Sequence, residues 1–318
     1  MRLLVTLLAL LSFGSIAGEQ REALYPDNPN MADEAVFVAD TGLTRLEYGG
    51  LEPSWHQLEG LFPLEPVVVN DLVVVGSPVG IFALDAASGA IRWHVASSHT
   101  LYSPTVIGST AYVGGEDGSL RALDLENGNV RWRQDLSGWV FSPAVVGDQL
   151  VTGGGAGVLW GVSGEDGSKR WQRTTGEELV FRPIAGREGP VYISTVQGKL
   201  IAVSADNGAV DWQTTLDTPT TTTVYGDRLL LGQFSGLVAA YNRYTGAKIW
   251  EYQLKGPTTI PIKILDGKVV AITEEGNSVL LDLEDGQVLE EIEHEEPPPA
   301  EPDPDKPEFL ASGPIAGD

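Results

Sequence analysis

GSLRALDLENGNVRW, Gly118 to Trp132, decides the fold of this chain, because close relatives of it return along nearly the whole length. The stretch reads as strand, tight turn, strand: Leu120, Ala122 and Leu123 lead into Asp124, Asn127-Gly128 makes the corner, and Val130 to Trp132 begins the return. Asn-Gly tolerates positive φ at both central positions of a two-residue hairpin turn, so the corner has a mechanical cause. The copies run GIFALDAASGAIRW to Trp93, GVLWGVSGEDGSKRW to Trp171, GKLIAVSADNGAVDW to Trp212 and GLVAAYNRYTGAKIW to Trp250. In each, a glycine (Gly89, Gly128, Gly167, Gly208, Gly246) stands four residues before the Trp. Counted from Trp55, the Trp spacings are 38, 39, 39, 41 and 38. A fixed period near 40 marks a repeat architecture, and a closed array of repeats holds 318 residues as one unit.

Six full units begin near Pro66, Pro104, Pro143, Pro183, Pro219 and Pro261. Each reads as four short strands rich in Val, Leu, Ile and Tyr, separated by Gly-containing turns, with no sustained helical periodicity. Four-stranded antiparallel units at this period are blades of a β-propeller. The sixth unit keeps Asp282 and the turn Asp285-Gly286 but carries Glu290 in the Trp position. Glu34 to Leu58 reads as the last three strands of a further unit, with Leu51 in place of the turn glycine and Trp55 retained. LASGPIAGD, Leu310 to Asp318, aligns with VFSPAVVGD, Val140 to Asp148, which opens the third full unit. An unclosed propeller leaves a bare strand edge. Ala311 to Ala316 is therefore expected to supply the missing first strand of the N-terminal unit, giving seven blades, six complete and one composite. A six-bladed ring with an extra N-terminal strand is the alternative.

The remaining segments complete the expected organisation. Residues 1–17 carry Arg2, an apolar run from Leu3 to Leu11, and small residues at Ser15 and Ala17, the pattern of a cleaved signal peptide. Residues 18–30 read as a flexible lead-in, 31–294 as the propeller, 295–308 as an acidic Pro-rich linker, and 309–318 as the closing strand. The expected location is periplasmic or extracellular. No stretch approaches the roughly 20 apolar residues of a membrane span. There is no Cys, which excludes disulfides, thiolate metal sites and lipid attachment through an N-terminal Cys. A net charge of −24 argues against nucleic acid and anionic lipid surfaces as partners.

Once per blade a large ring returns, as needed to fill the wedge between two neighbouring twisted sheets, so Trp55, Trp93, Trp132, Trp171, Trp212 and Trp250 are expected to be structural. Asp85, Asp124 and Asp282, eight residues before the Trp position, are expected to accept N–H bonds in their own turns. Ser163, Ser204 and Asn242 would act similarly. The pattern Ala/Val-x-Asp-x-x-x-Gly-x-x-x-Trp resembles the tryptophan-docking repeat of the quinoprotein-type (PQQ-like) propellers, over about 260 residues. Two branches of that family bear on function: alcohol dehydrogenases that bind PQQ and calcium, and BamB-like outer-membrane assembly factors, which are non-catalytic scaffolds. The dehydrogenase branch implies a vicinal Cys pair over the quinone and a Glu/Asn/Asp calcium set. Neither can be placed on this sequence, so no PQQ and no metal are expected.

Other chemistry is equally hard to place. His56, His94, His99 and His294 lack metal-ligand spacing, and Glu116-Asp117-Gly118 and Glu165-Asp166-Gly167 read as hairpin turns rather than calcium loops. Gly153-Gly154-Gly155 reads as a bulge. The residues that converge at the mouth of the ring axis are those entering the first strands, and Tyr102, Phe141, Phe181 and Arg182 are the candidates for binding there. Their alternative role is packing between blades. The expected function is a monomeric, non-enzymatic, exported scaffold that binds a protein partner in the cell envelope. A PQQ- or small-ligand-binding propeller is the alternative, and an enzyme acting on an envelope polymer is a third reading.

Overall fold

The computed structural model describes residues 35–39, 42–46, 53–258, 261–273 and 277–292. Signal peptide, lead-in, acidic linker and closing strand all lie outside the described residues, as does the Trp55 side chain. What is described is all β: one three-stranded and six four-stranded antiparallel sheets, each with its strands in chain order. The three-stranded sheet comprises Ala35–Ala39, Gly42–Leu46 and Pro53–Gln57, where the sequence shows only three strands of a unit. The six complete blades occupy residues 67–96, 105–135, 144–174, 184–215, 220–253 and 263–292, numbered one to six below.

Blade two shows the common plan. Its strands are Thr110–Gly114, Ser119–Asp124 and Val130–Asp135, preceded by the short Thr105–Ile107. The second and third strands are buried throughout or nearly so, while the fourth alternates exposed and half-buried residues. Burial on both faces explains why the middle strands read as continuous apolar runs. First strands of neighbouring blades approach one another, which puts them innermost and the fourth strands on the rim.

The core is a series of layers between consecutive sheets. Leu72, Val74, Ile81 and Ala83 of blade one pack on Ala111, Val113 and Leu123 of blade two. The other face of blade two, with Leu120 and Ala122, meets Leu150 and Val162 of blade three. The same arrangement links blades three and four, four and five, and five and six. Leu58 and Leu61 cover the outer face of blade one, against Val73, Val75 and Leu84.

Two local expectations are corrected. The docking hairpin is longer than a two-residue turn: Asp124 N–H donates to Asn129 O and Gly128 N–H to Asp124 O, both at 2.8 Å. Only the glycine adopts positive φ, +74° at Gly128; Asn127 does not. The register also slips at one place in every sheet, skipping the residue just before the docking position, so that Ala122 pairs with Trp132 but Leu123 with Val130. The second correction concerns blade five, whose first strand, Thr220–Tyr225, is longer than the others. Thr223 there donates to Ile262 O at 2.7 Å as Thr105 does to Pro143 O at 2.6 Å, so Thr222 rather than Pro219 fills the place of Pro104.

Candidate functional site

Each docking Trp latches its blade to the next. The indole N–H of Trp93, Trp132, Trp171, Trp212 and Trp250 donates to the carbonyl of Leu125, Gly164, Ala205, Arg243 and Leu283, at 2.8–3.0 Å. Each ring lies flat on the hairpin glycine of that next blade; a Cβ added at Gly128 would stand 2.8 Å from the Trp93 ring. Asp124 accepts the N–H groups of Glu126 and Asn127, and Asp282 those of Glu284 and Asp285. Asp85 does the same for Ser88, and Asn242 for Tyr244 and Thr245. These residues have their hydrogen-bonding capacity committed to the frame.

The end of the axis where the chain enters each first strand is different, because its side chains are not committed in that way. Tyr102 and Phe141 stand with ring centroids 5.1 Å apart, both half-buried. Trp139 meets Phe141 edge-on at 5.0 Å, completing a cluster of three rings across blades two and three. Phe181 makes its ring contact elsewhere, edge-on to Phe234 of blade five at 5.8 Å. The quartet therefore divides: Tyr102 meets Phe141, while Phe181, followed in sequence by Arg182, meets Phe234.

Trp139 and Phe234 escape the repeat pattern because neither lies on a docking position. The signal for Trp139 was present in the opposing strand. Its indole covers Gly154 and Gly155, where added Cβ atoms would lie 2.7 and 2.0 Å from ring atoms. Gly154-Gly155 is thus a seat for an aromatic ring, and Gly153 pairs in register with Leu159 rather than forming a bulge; the register of that sheet slips instead between Gly161 and Val162.

Arg182 is exposed, and no ion pair engages it among the described residues. It takes the place of Ser103 and Ser142, whose hydroxyls accept backbone N–H groups of the preceding blade, from Gly76 at 3.4 Å and Gly114 at 3.0 Å. A guanidinium cannot accept, so the substitution gives up an inter-blade bond and leaves a cation at the mouth.

In the connection leading to it from blade three, the buried carboxylate of Glu177 accepts from the Thr195 hydroxyl at 2.6 Å and from Lys199. The Lys199 ammonium, then Thr195, holds its carboxyl below the ordinary range. Asp117 sits in the turn between the second and third strands of blade two. Burial works to raise its pKa, but Arg121 and Ser119 outweigh burial and lower it.

No group of three His, Cys, Asp or Glu side chains able to hold a metal ion occurs among the described residues. His94 stacks on Phe82 at 4.0 Å on a rim strand. No helix among the described residues is long and apolar enough to cross a membrane.

Comparison with known proteins gives a consistent relationship. A family model described as outer membrane protein assembly factor BamB matches residues 50–186, 80–225 and 221–302. The outer membrane protein assembly factor BamB of Yersinia pestis is 31% identical over 137 residues, covering 37% of this chain and 34% of that relative. The match thus spans about a third of the curated relative's length. Among solved structures, BamB from Moraxella catarrhalis superimposes with a TM-score of 0.62 at 22% identity, over 72% of this chain and 75% of that one. The designed Ika8 protein gives 0.68 at 14%, over 82% and 84%. Saccharomyces cerevisiae Sqt1 gives 0.66 at 12%, over 79% of each chain. At these identities the structures establish the shared fold.

Proposed function

We propose, on the premise that this chain belongs to the family of outer membrane protein assembly factor BamB, that it is a non-enzymatic scaffold working in the periplasm on outer membrane protein assembly. The observation that carries this reading is the contrast between two kinds of side chain: the repeated ones are spent on latches and turn caps, while the ones outside the repeat gather at one mouth of the axis. Tyr102, Phe141 and Trp139 offer a ring surface there, and Phe181 and Arg182 offer a second ring beside an unpaired guanidinium. Rings backed by one Arg are the anchors by which protein surfaces hold a partner strongly. A frame latched blade to blade keeps them preorganised, so little ordering cost falls on binding.

No cofactor takes part in this reading, and the chain acts as a monomer. The Cys pair that the resemblance places over the quinone of the dehydrogenases has no counterpart in the sequence. The test is genetic and biochemical together. Cells without the gene should accumulate less folded outer-membrane barrel protein, and wild type should restore it. A Phe181→Ala, Arg182→Glu variant that folds normally should not. Unchanged barrel assembly in the deletion strain would sink the reading, and a stoichiometric red-shifted band on adding PQQ and calcium would replace it with a quinone-binding one.

A further inference from the structure

The chain leaves the fourth strand of each blade at the end of the ring where Arg182 and the aromatic rings lie, and crosses that end to reach the next first strand. After blades one, two, three and five the crossing takes eight or nine residues. After blade six, whose fourth strand ends at Ile292, eighteen residues precede Ala311, where the closing strand is expected to begin. The run is thus about twice as long as the crossing needs. Its composition is equally distinct: Glu295 to Glu308, EEPPPAEPDPDKPE, holds six prolines and six carboxylates against a single lysine. Prolines at this density favour the polyproline II helix, at about 3.1 Å per residue, so the segment reaches about 40 Å from its tether.

The mouth has the complementary features. Phe62, on the way into blade one, is 61% exposed, and its φ of +49° lies in the left-handed region that a bulky residue adopts only at a cost. Phe234, which meets Phe181, is also exposed. Arg182 is joined by a second cation, Lys263, the first residue of the innermost strand of blade six. Lys263 is exposed, and no ion pair engages it among the described residues. In a chain of net charge −24, two unpaired cations beside exposed rings are a local exception.

We propose that Glu295 to Glu308 docks in cis on this mouth, its prolines against the exposed rings and its carboxylates on Arg182 and Lys263. Aromatic surfaces take polyproline strands well because the strand is already extended and loses little entropy on binding. The guanidinium fork of Arg182 matches a carboxylate in a way that no neutral side chain at the same place could. A tether supplies an effective concentration in the millimolar range, so weak contacts suffice. The segment then covers the surface that the assembly-factor reading gives to a partner protein, which has to displace it. That consequence rests on the assembly-factor reading; the docking itself does not.

The test compares the full chain with two variants of equal length by backbone amide NMR. In one, residues 295–308 become a Gly-Ser run; in the other, Glu295→Gln, Glu296→Gln, Glu301→Gln, Asp303→Asn, Asp305→Asn and Glu308→Gln remove the charge alone. Amides 181, 182, 234 and 263 should shift in both variants, while those of the docking hairpins stay in place. Residues 181, 182 and 234 belong to blades four and five, away from the expected closing strand, so their shifts do not report on closure. A synthetic peptide of residues 295–308, added to the Gly-Ser variant, should return these signals towards their wild-type positions saturably. Arg182→Ser, which adopts the residue of blades two and three, should weaken that peptide about threefold or more. Lys268→Ala, at the docking-hairpin end, should leave it within about twofold. Wild-type positions at these amides in either variant would overturn the docking, as would a peptide that fails to saturate or that binds the Arg182→Ser and Lys268→Ala chains alike. Melting curves confirm folding, and the charge-neutral variant carries the test if the Gly-Ser one does not fold. Absence of docking together with lost barrel assembly in the deletion strain would strike this inference alone and leave the assembly-factor reading in place.

Discussion

Asp166 accepts the Ser168 N–H at 3.0 Å and its hydroxyl at 2.8 Å, inside an exposed hairpin that the sequence alone could present as a calcium loop. Those donors, the backbone N–H foremost, lower its carboxyl from 3.8 to about 2. A carboxyl depressed on folding stabilises the fold above its unfolded pKa and loses that contribution as pH falls through the folded one. The melting temperature of Asp166→Asn should therefore lie below wild type near neutrality. That gap should close between about pH 4 and pH 2. A gap that stays constant over this window would show that the negative charge does not matter. Sequence spacing identified the turn, but it could not rank Asp166 against the other acidic residues, because the shift depends on donors brought within 3.0 Å by the folded hairpin.

At the scale of the element, strand, hairpin and ring form one latch. Gly128 is needed both for its φ of +74° and because the Trp93 ring occupies the space of its missing side chain. Trp93→Ala removes a buried indole and its bond to Leu125 O, and should cost about 3–5 kcal/mol in urea unfolding. Gly128→Ala strains the backbone and lifts the same ring, for about 1–3 kcal/mol. Because both act on one contact, the double variant should cost less than their sum by about 1 kcal/mol or more. Strict additivity would mean that glycine and ring are independent. The pairing also explains a coincidence in the sequence. The sixth blade has Glu290 instead of Trp, and the N-terminal unit has Leu51 instead of the hairpin glycine. Loss of both halves of one latch is what adjacency of these two units in a ring would produce.

For the whole molecule, the same coincidence bears on how the two ends of the chain meet. If residues 309–318 complete the N-terminal sheet, deleting them should expose two sheet edges and destabilise the fold by several kcal/mol, about 3 or more. Thermal unfolding of the truncated chain against the full chain measures this, and an unchanged midpoint would count against the composite blade. The two ends of the axis also differ: one presents rings and an unpaired guanidinium, while at the other Arg92, Arg131 and Arg170 tie down the docking hairpins of blades one to three.

The repeat of Gly and Trp by itself determined the blade, the four-strand order and the all-β class, because each of these follows from local turn chemistry and apolar period. It also placed Tyr102, Phe141 and Phe181 at a common blade position, with Arg182 next to the last of them. Only the tertiary structure decided which of them meet and that Trp139 and Phe234 join them. Those outcomes depend on distances between blades, and a period of about 40 residues fixes what recurs in each blade without fixing what two neighbouring blades bring face to face.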